Sequence, residues 1–361
     1  MRIGIMTFHC ARNYGAVLQA YGLQTYLESL GHRVYVIDYE PSYLLNPYRL
    51  FRFGEWREKG LLIDLKWNLR EILVAPIRGL RNYRFVRFVR KRLHLLQIDF
   101  NKPCSDIDTF IFGSDQIWNP VICNGYDRYY LADAEAFKGK KCIAYSASVG
   151  RVSNIESDSK ELLNRLSGFS LIGARENSLN EWLKAQGITN SALTLDPVML
   201  AGKKYFEPIT QEIDKRKPFL FLFMVDRLPK AKAVADLIAA QYNLEIIEFA
   251  SCYETFAFKG KMQTKSPEYF LGMIKAASYV VTTSFHATAF SILFEKNFTA
   301  VSSRNGLNER VQSLLSLFNL ESRLSFDENN IDFSSIDYDK HFDKFEAVKK
   351  DSELVLKSLS Q

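Results

Sequence analysis

Glycine is scarce where it would say most. After the apolar start "IGIMTF" comes "NYGAVLQAYGLQTYLESLG" (13–31), a strand-to-helix turn with the position of a phosphate loop but a single turn glycine, Gly15. A dinucleotide fingerprint needs several glycines for close approach to the pyrophosphate, so a smaller anion fits this turn better. Histidine is scarce too, with five in 361 residues, which argues against a histidine-rich metal centre. The five cysteines (Cys10, Cys104, Cys123, Cys142, Cys252) are scattered and lack metal-ligand or redox spacing, as expected of a reduced, cytoplasmic compartment. No stretch approaches the roughly 20 apolar residues that span a bilayer. The longest run, "FLFLFMV" at 219–225, has the length of a buried strand. The N-terminus reads as a core strand and not as a secretory leader.

What remains is an ordinary globular balance, 47% hydrophobic and 24% charged, long enough for two domains. The net charge of +6 is unevenly spread. Between Arg49 and Arg92 stand thirteen Lys or Arg against four Asp or Glu, so the rest of the chain is slightly acidic. Such a stretch suits an anionic lipid surface, an acidic glycan precursor or nucleic acid. Nucleic acid is the poorest of these, because no recognisable binding motif accompanies the charge.

Apolar spacing predicts an α/β chain. "RIGIMTF", the helix "AVLQAYGLQTYLESL" closed by Gly31, and "RVYVIDYE" form a βαβ unit with a right-handed parallel crossover. Residues 44–97 read as a basic helical insertion, with Phe85, Phe88, Val89, Leu93 and Leu96 on one stripe, the first four of them packing on the N-terminal domain. Strands return at "IDTFIF", "KKCIAYSAS", "FSLIGA" and "ALTL". A second set follows a polar linker at 207–218: "PFLFLFMVD", "LEIIEFA", "SYVVTTS" and "NFTAVSS", with a helix capped by Ser266 among them. The expected organisation is two Rossmann-like domains, 1–206 and 207–335, facing across a cleft, with a C-terminal helix over 336–361.

Five predicted strand ends carry polar clusters: "HCARNYG" (9–15), "GSDQIWN" (113–119), "YSASVG" (145–150), "ARENS" (174–178) and "TSFHAT" (283–288). Ligands of such sheets sit beyond the carboxyl ends of the strands, so the five together point to a cleft between the domains. Asn13 to Ala16 opens a helix whose amides can hold an anion, or Asn13 is simply its cap. Asp115 is placed to accept a proton or orient a hydroxyl, or else it caps a turn. Trp118 is a sugar-stacking surface or, more commonly for such a residue, a core aromatic. Arg175 offers a fork for carboxylate or phosphate, with a salt bridge to neighbouring Glu176 as the competing reading. His286 lies in the first turn of a helix capped by Thr283 or Ser284, where a phosphate binds and a proton donor reaches it.

In this order, "NYGAVLQAYGLQ", "FGSDQIWN", "GARENS", "LDPVML" and "TSFHATAFSILF" resemble the polysaccharide pyruvyl transferase family, from residue 1 to about 320. The resemblance implies a fold like that of GT-B glycosyltransferases. It implies phosphoenolpyruvate as donor, a sugar or lipid-linked glycan as acceptor, and a pyruvate ketal and phosphate as products. No metal or cofactor is implied; phosphoenolpyruvate is a co-substrate. Arg175 and His286 match the family's donor-binding and catalytic positions, and Ala287 stands where the family often has glycine. On this reading His286, Arg175 and Asp115 are catalytic. Arg175, Ser284, His286, Asn13 and Gly15 bind the donor, and Gln116, Trp118, Asn119 and Glu176 face the acceptor. The Arg-rich face of the insertion would look toward an anionic membrane or a pyrophosphate-linked acceptor. The alternatives are a GT-B glycosyltransferase using a nucleotide sugar and a non-catalytic glycan- or anion-binding protein.

Overall fold

The computed structural model of the protein describes residues 1–51, 61–155, 159–214, 217–225, 228–250, 264–302, 309–340 and 342–360. Cys252 and His341, the latter at the expected start of the last helix, lie outside these residues. The described residues build two sheets whose pairings are all parallel. The first has seven strands: β1 (Arg2–Met6), β2 (Arg33–Ile37), β3 (Leu95–Leu96), β4 (Thr109–Phe112), β5 (Lys141–Ala147), β6 (Leu171–Ala174) and β7 (Ser191–Leu193), in the order β3-β2-β1-β4-β5-β6-β7. The second has five: β8 (Phe219–Met224), β9 (Glu245–Ala250), β10 (Tyr279–Thr282), β11 (Asn297–Val301) and β12 (Leu324–Ser325), in the order β12-β11-β10-β8-β9. β4, β8 and β10 are buried along their whole length, so they read as near-continuous apolar runs without alternation.

Strand order reverses between β1 and β4 in the first sheet and between β8 and β10 in the second. A reversal opens a crevice at the carboxyl end, because the chain leaves in opposite directions on its two sides. The helices that shape the site start beside these crevices. α1 (Tyr14–Ser29) follows β1, and α2 (Leu61–Arg92) is the basic helix of the insertion. α3 (Pro267–Ala276) precedes β10, α4 (Phe285–Leu293) follows it, and α5 (Glu309–Leu317) follows β11. α1 ends as its sequence predicts. Gly31 takes φ +86°, and the amides of Gly31 and His32 return to the carbonyls of Glu28 and Leu27 at 2.9 and 3.3 Å. Ser266 caps α3, its hydroxyl accepting from the Tyr269 amide at 3.3 Å.

Phe85, Phe88 and Val89 on α2, and Leu93 just beyond it, are buried against α1, as their spacing predicts. Leu96 departs from the expected stripe. The helix stops at Arg92, and Leu95–Leu96 instead extend the first sheet by pairing with Val36 and Ile37. The Gln24 side chain makes that exit, its amide donating to the Arg92 carbonyl at 3.1 Å and its oxygen accepting from the His94 amide at 2.8 Å.

One apolar cluster runs through both halves, from Ile3 and Val17 to Phe221, Phe270 and Phe290. The last helix, α6 (Asp343–Lys357), returns to the first sheet. Val355 and Leu356 join the shared cluster, and the Ser352 hydroxyl accepts from the Leu195 amide at 2.8 Å. No described helix is long and apolar enough to cross a membrane.

Tyr14 joins the halves at the start of α1. Its ring stacks on Phe270 at 4.5 Å, meets Phe223 edge-on at 5.9 Å, and its hydroxyl donates to the Lys265 carbonyl at 2.8 Å. Tyr14→Ala should therefore lower stability by about 3 kcal/mol or more, as large-to-small changes at buried aromatics do. Tyr14→Phe, which loses only the hydrogen bond, should cost about 1 kcal/mol. Urea unfolding of the two variants separates these contributions.

Candidate active site

The two crevices face one another. Between them is a cavity of about 190 Å³, lined from the first half by Phe8, Ala11, Asn13, Asp115 and Gln116, and from the second by Val225, Thr283, Ser284, Phe285, His286 and Arg310. The two helix starts nearly touch. A β-carbon on Gly15 would lie 2.0 Å from His286 Nδ1, so only glycine lets α1 and α4 meet here. Ser284 caps α4, its hydroxyl accepting from the Ala287 amide at 3.3 Å. First-turn amides such as those of Phe285 and His286 have no intrahelical acceptor and carry the positive end of the helix dipole.

Beside the cavity is a buried charge network assembled from three strand ends of the first sheet. Arg175, just after β6, reaches Asp196 at 3.2 Å, Glu176 at 3.3 Å and Asp115 at 3.7 Å. Asp196 also caps the helical turn Pro197–Ala201, faces His286 Nε2 at 3.6 Å, and accepts from the Ser114 hydroxyl at 3.3 Å. Burial alone would push the Asp196 carboxyl up, but His286 and Arg175 more than offset it and hold it at about 2. Burial pushes Glu176 above its ordinary range, only partly offset by Arg175 and by a 2.6 Å hydrogen bond from the Ser148 hydroxyl. Burial disfavours the Arg175 charge, yet Glu176, Asp115 and Asp196 together raise its pKa. His286 Nε2 and Arg175 Nη2 are buried and have no hydrogen-bond partner. Asp115 sits at φ +80°, a strained conformation for a residue with a side chain. Its own Oδ1 accepts from the Gln116 amide at 2.9 Å, and its carbonyl from the Ser148 amide at 3.1 Å.

The structure brings Asn13, Asp115, Gln116, Ser284 and His286 to one cavity, and it corrects several expected roles. The amides at the start of α1 are not open to an anion. Asn13 Oδ1 takes those of Gly15 and Ala16 at 2.9 and 3.4 Å, so Asn13 is a cap and Gly15 a point of close approach. Arg175 turns its fork inward onto carboxylates, which makes it a positioning residue with only Nη2 left over. Trp118 is 1% exposed, and its Nε1 donates to the Tyr130 carbonyl at 3.1 Å, so it offers no face to a sugar. Asn119 caps a short turn and holds Gln116 Oε1 at 2.7 Å. Glu176 is 1% exposed and spent on Ser148 and Arg175. Of the predicted acceptor set, Gln116 alone lines the cavity.

Two residues were missed. Asp196 stands in "LDPVML", where Asp-Pro after a short strand is itself a helix-start signal. Arg310 is the second residue of α5 and follows "SSRNGLNE", a polar run that sequence reading passed over. Its guanidinium lies 5.9 Å from the Phe285 ring centre, at the wall of the cavity. His9, Asp38 and Glu40 cluster at the ends of β1 and β2, where His9 Nε2 is hydrogen-bonded to Asp38 at 3.1 Å.

Residues 13–305 match the family described as "Polysaccharide pyruvyl transferase". No curated protein sequence matches the chain. Among solved structures, a protein assigned as a UDP-N-acetylglucosamine 2-epimerase from Listeria monocytogenes superposes with a TM-score of 0.51 at 11% identity, over 97% of this chain and 90% of that one. The UDP-N-acetylglucosamine 2-epimerase of Rickettsia bellii gives a TM-score of 0.47 at 11% identity, over 99% and 96%. The Listeria likeness shows the two-sheet, GT-B-type fold.

The depressed Asp196 carboxyl makes the network acid-sensitive. Its stabilisation is complete above the ordinary aspartate value and is lost as the pH falls through about 2. The loss should amount to roughly 2 kcal/mol, at about 1.4 kcal/mol per pH unit of displacement. Glu176, raised in the folded state, works in the opposite sense as it ionises. Urea unfolding between pH 5 and about pH 2 should show this acid limb in the parent and a flatter one in Asp196→Asn.

Proposed function

We propose that this chain, which belongs to the polysaccharide pyruvyl transferase family, transfers the enolpyruvyl unit of phosphoenolpyruvate onto two hydroxyls of a sugar. The product is a pyruvate ketal and the leaving group is phosphate. The observation that carries the reading is the placement of His286. It is a titratable side chain at a helix start in the cavity between the halves, with Nε2 backed by the Asp196 carboxylate at 3.6 Å.

The residues divide the chemistry as follows. The first-turn amides of α4 and the Arg310 guanidinium suit the phosphate and carboxylate of a small dianion. His286 gives a proton to the methylene carbon of the enol phosphate, which makes the neighbouring carbon electrophilic. A sugar hydroxyl attacks that carbon and loses its proton to Asp115, which lines the same cavity. Phosphate then departs, and the second hydroxyl closes the ring, its proton passing to the departing phosphate while the proton held by Asp115 restores His286. Arginine cannot serve as the acid, since it does not give up its proton in this range. Asp196 sits behind His286, 3.6 Å from its Nε2, and orients the ring. Gln116, at the cavity wall, suits a hydroxyl of the acceptor. A cavity of about 190 Å³ suits a three-carbon donor, with the acceptor entering from outside.

The activity test is phosphate release from phosphoenolpyruvate in the presence of a panel of sugars and lipid-linked glycans. Nucleotide release from a nucleotide sugar by the same protein would replace this reading with a glycosyltransferase. The residue test is His286→Gln, which keeps a donor and removes the titrating proton. Turnover should fall by about 10²–10⁴-fold. Turnover within a few-fold of the parent would leave His286 as a phosphate grip only.

A further inference from the structure

α2 is apolar on two opposite faces. The inner face carries Val74, Phe85, Phe88 and Val89 into the core, together with a buried ion pair between Glu71 and Arg78. On the other side Leu69, Ile72, Leu73, Leu80 and Tyr83 are all exposed; Leu69 is 57% and Tyr83 60% accessible. Their spacings of 3, 4, 11 and 14 from Leu69 place them within about 100° of one another on a helix, in one continuous stripe. An uncovered apolar stripe of this length costs solubility unless something covers it.

Further along the same outer face the apolar residues give way to Arg84, Arg87, Arg90 and Lys91. Beside that end, α2 and the start of α3 enclose a groove of about 370 Å³, whose cations are Arg84, Arg87, Lys91 and Lys265 against one acid, Glu268. Arg84 is tied to the Thr264 carbonyl at 2.8 Å, and the Lys265 ammonium lies 4.5 Å from the Tyr269 ring centre. Arg87 and Lys91 line the groove without an ion pair or hydrogen bond among the described residues. Like charges three and four residues apart repel, so this face is arranged for an external anion.

We propose that the outer face of α2 docks on an anionic lipid bilayer, lying in the plane of the interface. Leu69, Ile72, Leu73, Leu80 and Tyr83 enter the acyl boundary, and Arg84, Arg87 and Lys91 meet the headgroup phosphates. A lipid surface offers both an apolar layer and negative charge along one continuous plane, which matches the two zones of this face. The docking is independent of the chemistry assigned to the cavity between the halves.

Vesicle flotation of the full chain tests the assignment. Phosphatidylcholine vesicles containing phosphatidylglycerol should carry the protein at low salt and lose most of it at high salt. Arg87→Ala with Lys91→Ala should weaken partitioning by about 30-fold, the effect of two basic residues near the surface. Ile72→Glu with Leu73→Glu should abolish flotation, while an unchanged urea midpoint shows that the fold is intact. Absence of flotation at low salt, or flotation indifferent to both pairs of substitutions, would overturn the proposal. So would a dimer seen by light scattering that the Glu substitutions dissociate in the absence of lipid.

Discussion

The approach of Gly15 to His286 is the contact on which the rest of the site depends. Two helix starts, one from each half of the chain, meet with only the His286 ring between them. Tyr14, the residue before Gly15, fixes the same junction through its stack on Phe270 and its bond to the Lys265 carbonyl. With the starts of α1 and α4 held this way, the two crevices created by strand reversal are brought face to face. The cavity, its polar lining and its division between the halves follow from that alignment. The shared apolar cluster and the return of α6 to the first sheet hold it in register.

Charge within the site is distributed by depth. At the bottom, Arg175 is surrounded by Asp115, Glu176 and Asp196, so removing the guanidinium would leave buried carboxylates uncompensated. Asp196 lies 3.6 Å from His286 Nε2, and the cationic wall of the cavity is left to Arg310. A rigid, largely satisfied network behind a few underused polar atoms is how a site keeps its geometry before substrate arrives. The strained backbone at Asp115 belongs to this picture, since such a conformation persists only where surrounding bonds enforce it.

The fold was legible because it is written in long apolar runs and in local punctuation. "FLFLFMV" became β8, Gly31 ended α1 and Ser266 began α3, each through chemistry that acts over a few residues. Leu96 was misread because helical spacing continues past Arg92, while the pairing that pulls it into the sheet comes from β2, some sixty residues earlier. The strand-end rule found Asp115, Gln116, Ser284 and His286, since it needs only the end of a strand and a polar residue. What it could not supply was direction. Trp118 and Glu176 occupy the same strand ends yet point into the core, and Arg175 points to carboxylates that are distant in sequence. Gly15 was seen, but its reason, a histidine 271 positions away, exists only in the folded chain.

The central claim is that the cavity between the halves, closed by Gly15 against His286, is built for a small enol phosphate. Calorimetric titration of phosphoenolpyruvate into the parent protein and into Gly15→Ala tests it most directly. The account predicts saturable binding to the parent and a loss of about 100-fold in the variant, because the added methyl displaces the imidazole from the donor. Equal affinity in the two proteins, or binding of a nucleotide sugar with none of phosphoenolpyruvate, would contradict it.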